Sequence, residues 1–301
     1  MNFNSIICVD IGGTETIIAE LDKNLNICKK ESFHTDKNLK VFISKLKEKI
    51  IKFDDKCKTR VGISLCGLLT KDGEKLITAP NLGWKNIDVR ELFKPLNREF
   101  VVCNDGTSAA WGSYVTENVD NANRFLTATL GTGVGGGIVI DGNLLFGAGE
   151  LGHIKINPQG PECSCGRRGC LEAYVGGENI PKQAKKWFDL DVKTAKELFK
   201  LAEKGSEEAV ECWKRIGYIL GYALAGVVNL NGIDLITLGG SITNARKYFF
   251  DEMEKSLLEN IMDNKFQKCK IMISQWQHNI SLIGVGALLL KPPSNFKKYR
   301  K

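Results

Sequence analysis

Residues 5–21 read SIICVDIGGTETIIAEL, an apolar run, a glycine turn and a second apolar run. The same order returns at 124–142 in RFLTATLGTGVGGGIVIDG. β-Branched runs on either side of a glycine cluster predict two strands joined by a tight turn. Two such hairpins, far apart in one chain, indicate a duplicated α/β domain in which each copy opens with a glycine-rich loop.

Outside these hairpins, stretches with apolar residues at helical spacing alternate with short apolar runs. We expect helices at 39–53, 106–117, 192–204, 206–230, 245–261 and 281–290. We expect further strands at 60–65, 99–103, 233–238 and 269–274. Alternating strands and helices predict an α/β fold whose sheets are mainly parallel beyond the hairpins.

The composition indicates a globular protein with two cores. The chain has 301 residues, 43% of them hydrophobic, which is enough for one large core or two medium ones, and the repeat favours two. The net charge is +7, but the last eleven residues, KPPSNFKKYRK, hold five basic residues and no acid. A solvated tail is therefore favoured over a nucleic-acid-binding arm. No apolar run approaches the ~20 residues that span a bilayer, so we expect no membrane partner.

Ten cysteines would indicate disulfides in a small secreted protein. The sequence MNFNSIICVDIGGT, however, has no basic region followed by an apolar core and does not resemble a signal peptide. We therefore expect a reducing cytoplasm, where clustered cysteines hold metal more often than they form disulfides.

The loop at 131–136 formally matches the dinucleotide fingerprint G-x-G-x-x-G, but that fingerprint requires a following helix and here a strand follows. No P-loop motif occurs in the sequence. The loop offers backbone N–H groups and the Thr132 hydroxyl, which can approach a phosphate closely. Five glycines in seven residues favour ligand approach over a plain tight turn.

Two acidic positions lie at the carboxyl ends of predicted strands. Asp10 is at the end of the first strand, just before the GGT at 12–14, where a carboxylate can hold a hydrated magnesium ion against phosphates, although Asp-Gly turns without such a role are common. Asn104-Asp105 follows the apolar run 100–103 and precedes a helix, where open α/β sheets place ligand-binding residues. For Asp105 the alternative is a helix N-cap, which is the commoner role of an isolated Asn-Asp.

Cys163, Cys165 and Cys170 lie close together, and His153 stands ten residues before the first of them. Three thiolates and one imidazole at this density, with glycines between them, favour a tetrahedral zinc site over a pair of buried thiols beside a loop. With four protein ligands the zinc would be structural. Glu150 and Glu172 bracket the segment, so the metal would hold two acidic side chains beside each other.

Taken in order, these motifs resemble those of the ROK family, which comprises bacterial sugar kinases, related open reading frames and repressors. The matching motifs are Asp10-x-Gly12-Gly13-Thr14, Asn104-Asp105, Gly131-Thr132-Gly133-x-Gly135-Gly136-Gly137, Gly149-Glu150-x-Gly152-His153 and Cys163-x-Cys165-Gly166-x-x-Gly169-Cys170-x-Glu172. The resemblance runs from residue 5 to about 290, and the cysteine segment is its most specific part. The chain departs from the family at Glu15, where a lysine is common, at Cys66, a frequent proline, and at Gly106-Thr107, usually Ala-Asn.

The resemblance implies two ribonuclease-H-like lobes of the actin and hexokinase type, which close on ATP and a hexose. We expect a small lobe over 1–118, a larger lobe over 119–280, and a helix over about 281–301 that packs back on the small lobe. The implied cofactors are ATP with Mg²⁺ and one structural Zn²⁺. The expected partners are the hexose and a second copy of the chain, with no nucleic acid.

The resemblance also implies site residues. Asp105 would be the general base. The sugar hydroxyls would be contacted by Asn104, Glu150, His153 and Glu172, and the loop with Gly67 would border the sugar. ATP and magnesium would lie against Asp10, Gly12, Gly13, Thr14, Gly131, Thr132, Gly133, Gly239 and Gly240. Zinc would be bound by His153, Cys163, Cys165 and Cys170, and we expect it to act on the sugar through geometry.

The function expected from these features is ATP-dependent phosphorylation of the 6-hydroxyl of an aldohexose, with glucose first. N-acetylmannosamine, N-acetylglucosamine, allose and fructose kinases share the motifs and stay open. A sugar-responsive repressor is the rival from another class. Such proteins carry a helix-turn-helix domain before the first glycine motif, and only nine residues precede Asp10 here. The intact Asp105 and both loops argue against an inactive sugar sensor.

Overall fold

The computed structural model describes residues 5–54, 59–118, 121–262 and 268–296. Cys57, two residues at the expected lobe boundary and the end of the basic tail lie outside these ranges. The strands are β1 (Ser5–Ile11), β2 (Glu15–Asp22), β3 (Ile27–His34), β4 (Val61–Leu65), β5 (Leu68–Leu69), β6 (Lys75–Ala79), β7 (Trp84–Asp88), β8 (Phe100–Asn104), β9 (Arg124–Leu130), β10 (Val134–Ile140), β11 (Asn143–Leu144), β12 (Leu235–Gly239) and β13 (Lys270–Ile273). The helices are α1 (Leu39–Phe53), α2 (Val89–Phe93), α3 (Asp105–Glu117), α4 (Glu172–Val175), α5 (Ile180–Phe188), α6 (Ala195–Glu203), α7 (Glu207–Asn231), α8 (Arg246–Asn260) and α9 (Ile280–Leu290).

Two five-stranded sheets share one strand order. The first runs β3-β2-β1-β4-β8 and the second runs β11-β10-β9-β12-β13. In the first sheet β1 pairs antiparallel with β2 and parallel with β4, and β4 pairs parallel with β8. In the second, β12 pairs parallel with both β9 and β13. The shared order is the duplication that the two hairpins predict, with a glycine-rich loop after the first strand of each copy.

The central strands explain the apolar runs of the sequence. β1 and β9 each have neighbours on both sides and are mostly buried. A strand buried on both faces reads as a continuous apolar run. A buried polar pair inside the second sheet is satisfied internally, because the hydroxyls of Thr127 and Thr237 lie 2.8 Å apart.

The carboxyl-terminal helix α9 anchors the start of α3. Its sequence ISLIGVGALLL is apolar on every side, and the helix packs against α3, β1 and β4. At Gly284 an added side-chain carbon would lie 1.8 Å from the Ser108 carbonyl oxygen, and at Gly112 one would lie 2.8 Å from the Gly284 nitrogen. The two helix backbones therefore touch, which fixes the position of α3 and of Asp105 at its first turn.

Helices α7 and α8 also pack with their backbones in close contact at glycines. Side-chain carbons added at Gly217 and Gly221 would lie 2.2 and 2.1 Å from the carbonyl oxygens of Phe249 and Met253. α7 begins after the N-cap Ser206, whose hydroxyl accepts from a backbone N–H, and it ends at a Gly232 in the left-handed region. Such caps are the usual start and stop signals of a helix.

Several elements lie outside the sequence-based expectation. These are strands β3 and β11, the small antiparallel sheet β5-β6-β7 and helices α2, α4 and α5. β3 and β7 are edge strands whose residues are largely exposed, so their apolar periodicity is weak. The helix expected at 192–204 begins at Ala195, because Thr194 is its N-cap: the Thr194 hydroxyl accepts from Glu197 N, and the Glu197 carboxylate accepts from Lys193 N just before the cap.

By its contacts the chain divides into two compact units. The first unit comprises Met1–Asp120, Gly137–Gly149 and Asn279–Lys301, and the second comprises Asn121–Gly136 and Glu150–His278. α9 thus belongs to the first unit. Among the described residues, we find no helix with the length and apolar character needed to cross a membrane.

Candidate active site and metal centre

In the first unit, three parallel strands end at one edge of the sheet. The register pairs Ile11 with Leu65 and Leu65 with Asn104, so the ends of β1, β4 and β8 are level. The carboxyl edge of an open α/β sheet is where such folds bind ligands. Asp10 and Asp105, far apart in sequence, are therefore brought to the same edge.

Asn104 and Asp105 have different roles at the start of α3. Asn104 is the N-cap of α3, because its Oδ1 accepts from Thr107 N at 3.0 Å, while its Nδ2 donates to the Gly67 carbonyl at 2.9 Å. The cap considered for Asp105 is thus supplied by its neighbour. Asp105 is the first residue of the helix, where the positive end of the helix dipole favours a carboxylate, and its Oδ1 accepts from Gly106 N at 2.9 Å.

Asp10 is the second carboxylate at this edge, opposite Ser64 in the neighbouring strand. Burial raises the pKa of Asp10 to about 6, and the buried Ser64 hydroxyl offsets this in part. A carboxylate whose charge is penalised by burial is stabilised by a nearby cation. The donor type and its place near the carboxyl end of β1 fit a hydrated magnesium ion.

The loop after β4 explains two sequence features. Cys66 N donates to the Ile11 carbonyl at 3.1 Å, a bond that the family's frequent proline does not make. Burial raises the pKa of the Cys66 thiol, with smaller contributions from the negative charges of Asp105 and Asp10. Gly67 has φ +129°, and a side-chain carbon there would lie 2.7 Å from the Thr78 carbonyl, so only glycine fits.

The turn at 12–14 is a tight hairpin. Gly12 N donates to the Glu15 carbonyl at 3.0 Å, and the Thr14 carbonyl accepts from Thr35 N at 2.9 Å. Gly13 lies so close to Asn81 that an added carbon would come within 2.7 Å of its Cβ. Part of the glycine requirement here is therefore packing inside the protein.

In the second unit, the four predicted zinc ligands come together. One ligand atom each from His153, Cys163, Cys165 and Cys170 lies within 4.8 Å of every other. The sulfurs of Cys165 and Cys170 are 3.7 Å apart, and His153 Nδ1 is 3.8 Å from the Cys163 sulfur. A zinc tetrahedron with bonds of ~2.3 Å to sulfur and ~2.1 Å to nitrogen has edges of about 3.8 and 3.6 Å. Disulfide sulfurs would be ~2.05 Å apart. The donor set and its spacing fit zinc.

The backbone holds these ligands by short-range pairing. Lys155 pairs with Cys170, and Ile156 N donates to the Gly169 carbonyl at 2.8 Å. Gly169 has φ +69°, and a side-chain carbon there would lie 1.5 Å from the Asn157 carbonyl oxygen. Glycine is therefore required for the ligand loop to close on the segment that follows His153.

Lys155 is a residue of this centre that the sequence did not single out. Its Nζ donates to the Cys170 sulfur at 3.0 Å and to the Arg168 carbonyl at 2.8 Å. Burial alone would raise the pKa of Cys165, but the Arg167 backbone N–H, the neighbouring thiols and the Lys155 charge together lower it. Three thiolates around Zn²⁺ carry one net negative charge, which a lysine here offsets. The signal available in the sequence was its place two residues after His153.

Beside the ligands stand the two bracketing carboxylates. His153 Nδ1 faces Cys163, while its Nε2 lies 3.9 Å from Glu150 Oε2. Glu172 is the first residue of α4; its Oε2 accepts from Val134 N at 2.9 Å and its Oε1 accepts from the Ser164 hydroxyl at 2.8 Å. Ser164, between two ligands, is a second residue that the sequence did not single out.

The chain matches the ROK family model over residues 6–292. It belongs to the ROK family. It is 28% identical to the glucokinase of Halalkalibacterium halodurans over 96% of each chain, and 31% identical to the N-acetylmannosamine kinase of Citrobacter koseri over 94% of this chain and 98% of that one. It superposes with a TM-score of 0.84, at 25% identity, on the ROK glucokinase of Streptomyces griseus solved with glucose and AMPPNP, covering 94% of this chain and 98% of that chain. The expected actin and hexokinase fold class is confirmed.

In this ROK chain the glycine loop 131–133 is tied into the second unit through its backbone. Gly131 N donates to the Gly133 carbonyl at 3.0 Å, closing the turn. The carbonyls of Gly131 and Thr132 accept from Gly177 N and Glu178 N at 2.9 and 3.1 Å. The hydrogen bonds leave the Thr132 side chain exposed, as a phosphate-facing hydroxyl requires.

The glycine turn at 239–240 lies beside this loop. Gly240 follows β12 with φ +91°, and an added side-chain carbon would lie 2.3 Å from the Leu130 carbonyl oxygen. Gly239, the last residue of β12, pairs with Thr129 of β9. Close backbone approach thus brings 131–133 and 239–240 together, as the sequence-based assignment of both to one ligand requires.

Proposed function

We propose that this ROK protein is an ATP-dependent kinase that phosphorylates the 6-hydroxyl of an aldohexose, with glucose as the first candidate. The observation that carries the proposal is the carboxylate of Asp105 at the amino end of α3, at the same edge of the sheet as Asp10. The full-length similarity to a glucokinase solved with glucose and AMPPNP supports the substrate pair.

Asp105 accepts the proton of the sugar hydroxyl as that oxygen attacks the γ-phosphorus. Phosphoryl transfer asks the protein for positioning and charge stabilisation more than for covalent chemistry. Asn104 orients the base by holding the first turn of α3 and the Gly67 loop at once. Asp10 would hold magnesium, which neutralises phosphate charge when bound. The backbone amides of 12–14 and 131–133 would approach the triphosphate, and the turn at 239–240 the adenosine.

The sugar hydroxyls would pair with Asn104, Glu150, His153 and Glu172. Polar groups discriminate well between sugars because a missing hydroxyl leaves its buried partner unpaired. Zinc, with four protein ligands, would have no vacancy for substrate and would hold the segment from 150 to 172 in place. The Nε2 of His153, on the side away from Cys163, is the atom that would donate to a hydroxyl.

The test is release of ADP by purified protein across a panel of sugars, with product analysis for the 6-phosphate. Glucose, mannose, allose, fructose, N-acetylglucosamine and N-acetylmannosamine form the panel. We expect glucose to give the highest kcat/KM. N-acetylmannosamine is the second candidate because the relative at 31% identity is named an N-acetylmannosamine kinase. A protein that releases no ADP with any sugar would contradict the proposal.

We also propose a cytoplasmic homodimer that does not bind nucleic acid. The described cysteines are free thiols, which suits a reducing compartment. On the adjacent helices α7 and α8, Tyr218, Tyr222 and Leu258 are each more than 40% exposed, and apolar groups at this exposure suit an interface with a second copy. Light scattering after size-exclusion chromatography tests the dimer, and a gel shift at physiological salt tests for DNA binding.

A further inference from the structure

The metal centre of the second unit is linked to a glycine loop by two side chains. Ser164 stands between the ligands Cys163 and Cys165, and its hydroxyl donates to Glu172 Oε1 at 2.8 Å. The other carboxylate oxygen, Oε2, accepts from Val134 N at 2.9 Å. Val134 follows Gly133 directly, so one carboxylate connects the metal-ligand segment with the loop proposed to receive ATP phosphates.

The loop is shaped to fit this carboxylate. A side-chain carbon at Gly133 would lie 2.3 Å from Glu172 Oε2 and 3.1 Å from its Cδ. The backbone after Glu172 completes the attachment, because Gly177 N and Glu178 N donate to the carbonyls of Gly131 and Thr132. The glycine at 133 thus serves contact with Glu172 as well as any approach by a ligand.

The orientation of the carboxylate depends on the metal centre. Ser164 is flanked on both sides by residues of the ligand set, so metal binding fixes its backbone. With Cys163 bound to metal as a thiolate, the hydroxyl of Ser164 is the donor that holds Oε1. A hydrogen bond to a charged acceptor is stronger than one between neutral groups, so it favours one carboxylate rotamer.

We propose that Ser164 is a positioning residue for the nucleotide: through Glu172 it sets the conformation of the 131–134 loop, so that the metal centre acts on ATP binding as well as on the sugar. This rests on the proposed function for the identity of the nucleotide loop. The expectation from sequence confined the metal to the sugar. The contact of Glu172 with Val134 N extends the influence of the metal centre to ATP, the second substrate.

The test compares Ser164→Ala with Ser164→Thr, which keeps the hydroxyl. Ser256→Ala is the matched control, because it also removes a serine hydrogen bond in the second unit, to the Tyr218 carbonyl at 2.8 Å, away from both loops. All variants keep the four metal ligands, so zinc content should stay at about one per chain. We expect Ser164→Ala to raise the KM for ATP about tenfold, in line with loss of one charge-assisted hydrogen bond. Threonine and the control should stay near the wild-type value.

Calorimetric titration with AMPPNP and Mg²⁺, in the absence of sugar, separates this inference from the kinase proposal. Weaker AMPPNP binding by Ser164→Ala than by wild type supports the link even if no sugar in the panel is phosphorylated. Equal binding by both overturns it while leaving the kinase proposal intact. If Ser164→Ala is insoluble, Gly133→Ala tests the same contact from the loop side, since its methyl group displaces Glu172. An unchanged affinity for AMPPNP in that variant also overturns the link.

Discussion

At the scale of single residues, each side chain with a candidate chemical role has a neighbour that makes a supporting contact. Asn104 supplies the cap of α3, and Asp105 can therefore act on a ligand. The Lys155 ammonium donates to the Cys170 sulfur, and the Ser164 hydroxyl donates to the Glu172 carboxylate. None of these three supporting contacts has a periodic pattern in the sequence, whereas the residues they support stand in recognisable motifs.

Replacement of Asp105 by asparagine should abolish turnover while leaving sugar binding largely intact. The amide keeps the size of the side chain and the start of α3 but does not accept the hydroxyl proton. Loss of a general base typically costs ~10²–10⁴-fold in rate. Steady-state kinetics for kcat and equilibrium titration with sugar measure the two effects. A variant with a rate near wild type would remove Asp105 from the base role.

Replacement of Lys155 by methionine should weaken zinc retention. The substitution removes the N–H donor to the Cys170 sulfur and the positive charge beside three thiolates, but keeps much of the side-chain volume. Loss of an outer contact to a metal ligand commonly costs about 10–100-fold in metal affinity. The rate of zinc transfer to a chromogenic chelator measures it. As the control, Lys155→Arg should retain zinc as the wild type does. If the methionine variant releases zinc at the wild-type rate, the contact does not contribute to zinc retention.

At the scale of elements, close backbone contact positions the site. α3 carries Asp105 at its first turn and is held against α9 through Gly112 and Gly284. The sequence predicted α1, α7, α8 and α9 well, because their apolar spacing or caps are local signals. It did not give β3, α5 or the β5-β6-β7 sheet, whose exposed or short segments carry weak periodicity and are stabilised by neighbours.

Replacement of Gly284 by alanine should destabilise the protein by ~1–3 kcal/mol, the usual cost of overpacking. Its methyl group would overlap the Ser108 carbonyl and force α3 away from α9. Gly226→Ala is the matched control, because that glycine lies on an exposed face of α7 with no heavy atom within 4 Å of an added carbon. Alanine there should stabilise by about 0.5–1 kcal/mol. Urea unfolding of both variants measures the opposite signs, and two neutral results would contradict the packing described for α9.

At the scale of the whole molecule, two copies of one topology carry different chemistry. The first sheet brings carboxylates to its edge, and the second unit adds a candidate metal centre and a pair of glycine turns. A partly buried ion pair contributes to the stability of the first unit. Arg98, whose side chain is 1% exposed, donates to Asp54 Oδ2 at 2.6 Å and to its carbonyl at 2.8 Å.

This ion pair should make the free energy of unfolding depend on pH in the acid range. Burial opposes ionisation of Asp54, but hydrogen bonds from Thr59 and the pair with Arg98 lower its pKa to about 2. A depressed pKa in the folded state adds stability that is complete above the unfolded value of ~3.9 and is lost as the pH falls towards 2. After allowance for solvent screening we expect about 1–2 kcal/mol. Asp54→Asn should be less stable than wild type at pH 7 and should lose less stability on acidification. Thermal unfolding of both proteins from pH 7 to 3 tests this. If the unfolding temperatures of the two proteins fall in parallel with pH, the prediction is contradicted.

The sequence by itself determined the duplicated hairpins, the main helices and the ligand set of the metal centre, because apolar periodicity and the spacing of cysteines are local properties of the chain. Only the tertiary structure decided which side chains support them. Glu172 reaches Val134 across 38 residues, and Asn104 reaches Gly67 across 37. Such contacts form when separate elements pack, and the hydrogen-bonding groups involved occur at many positions, so the order of residues alone does not single them out.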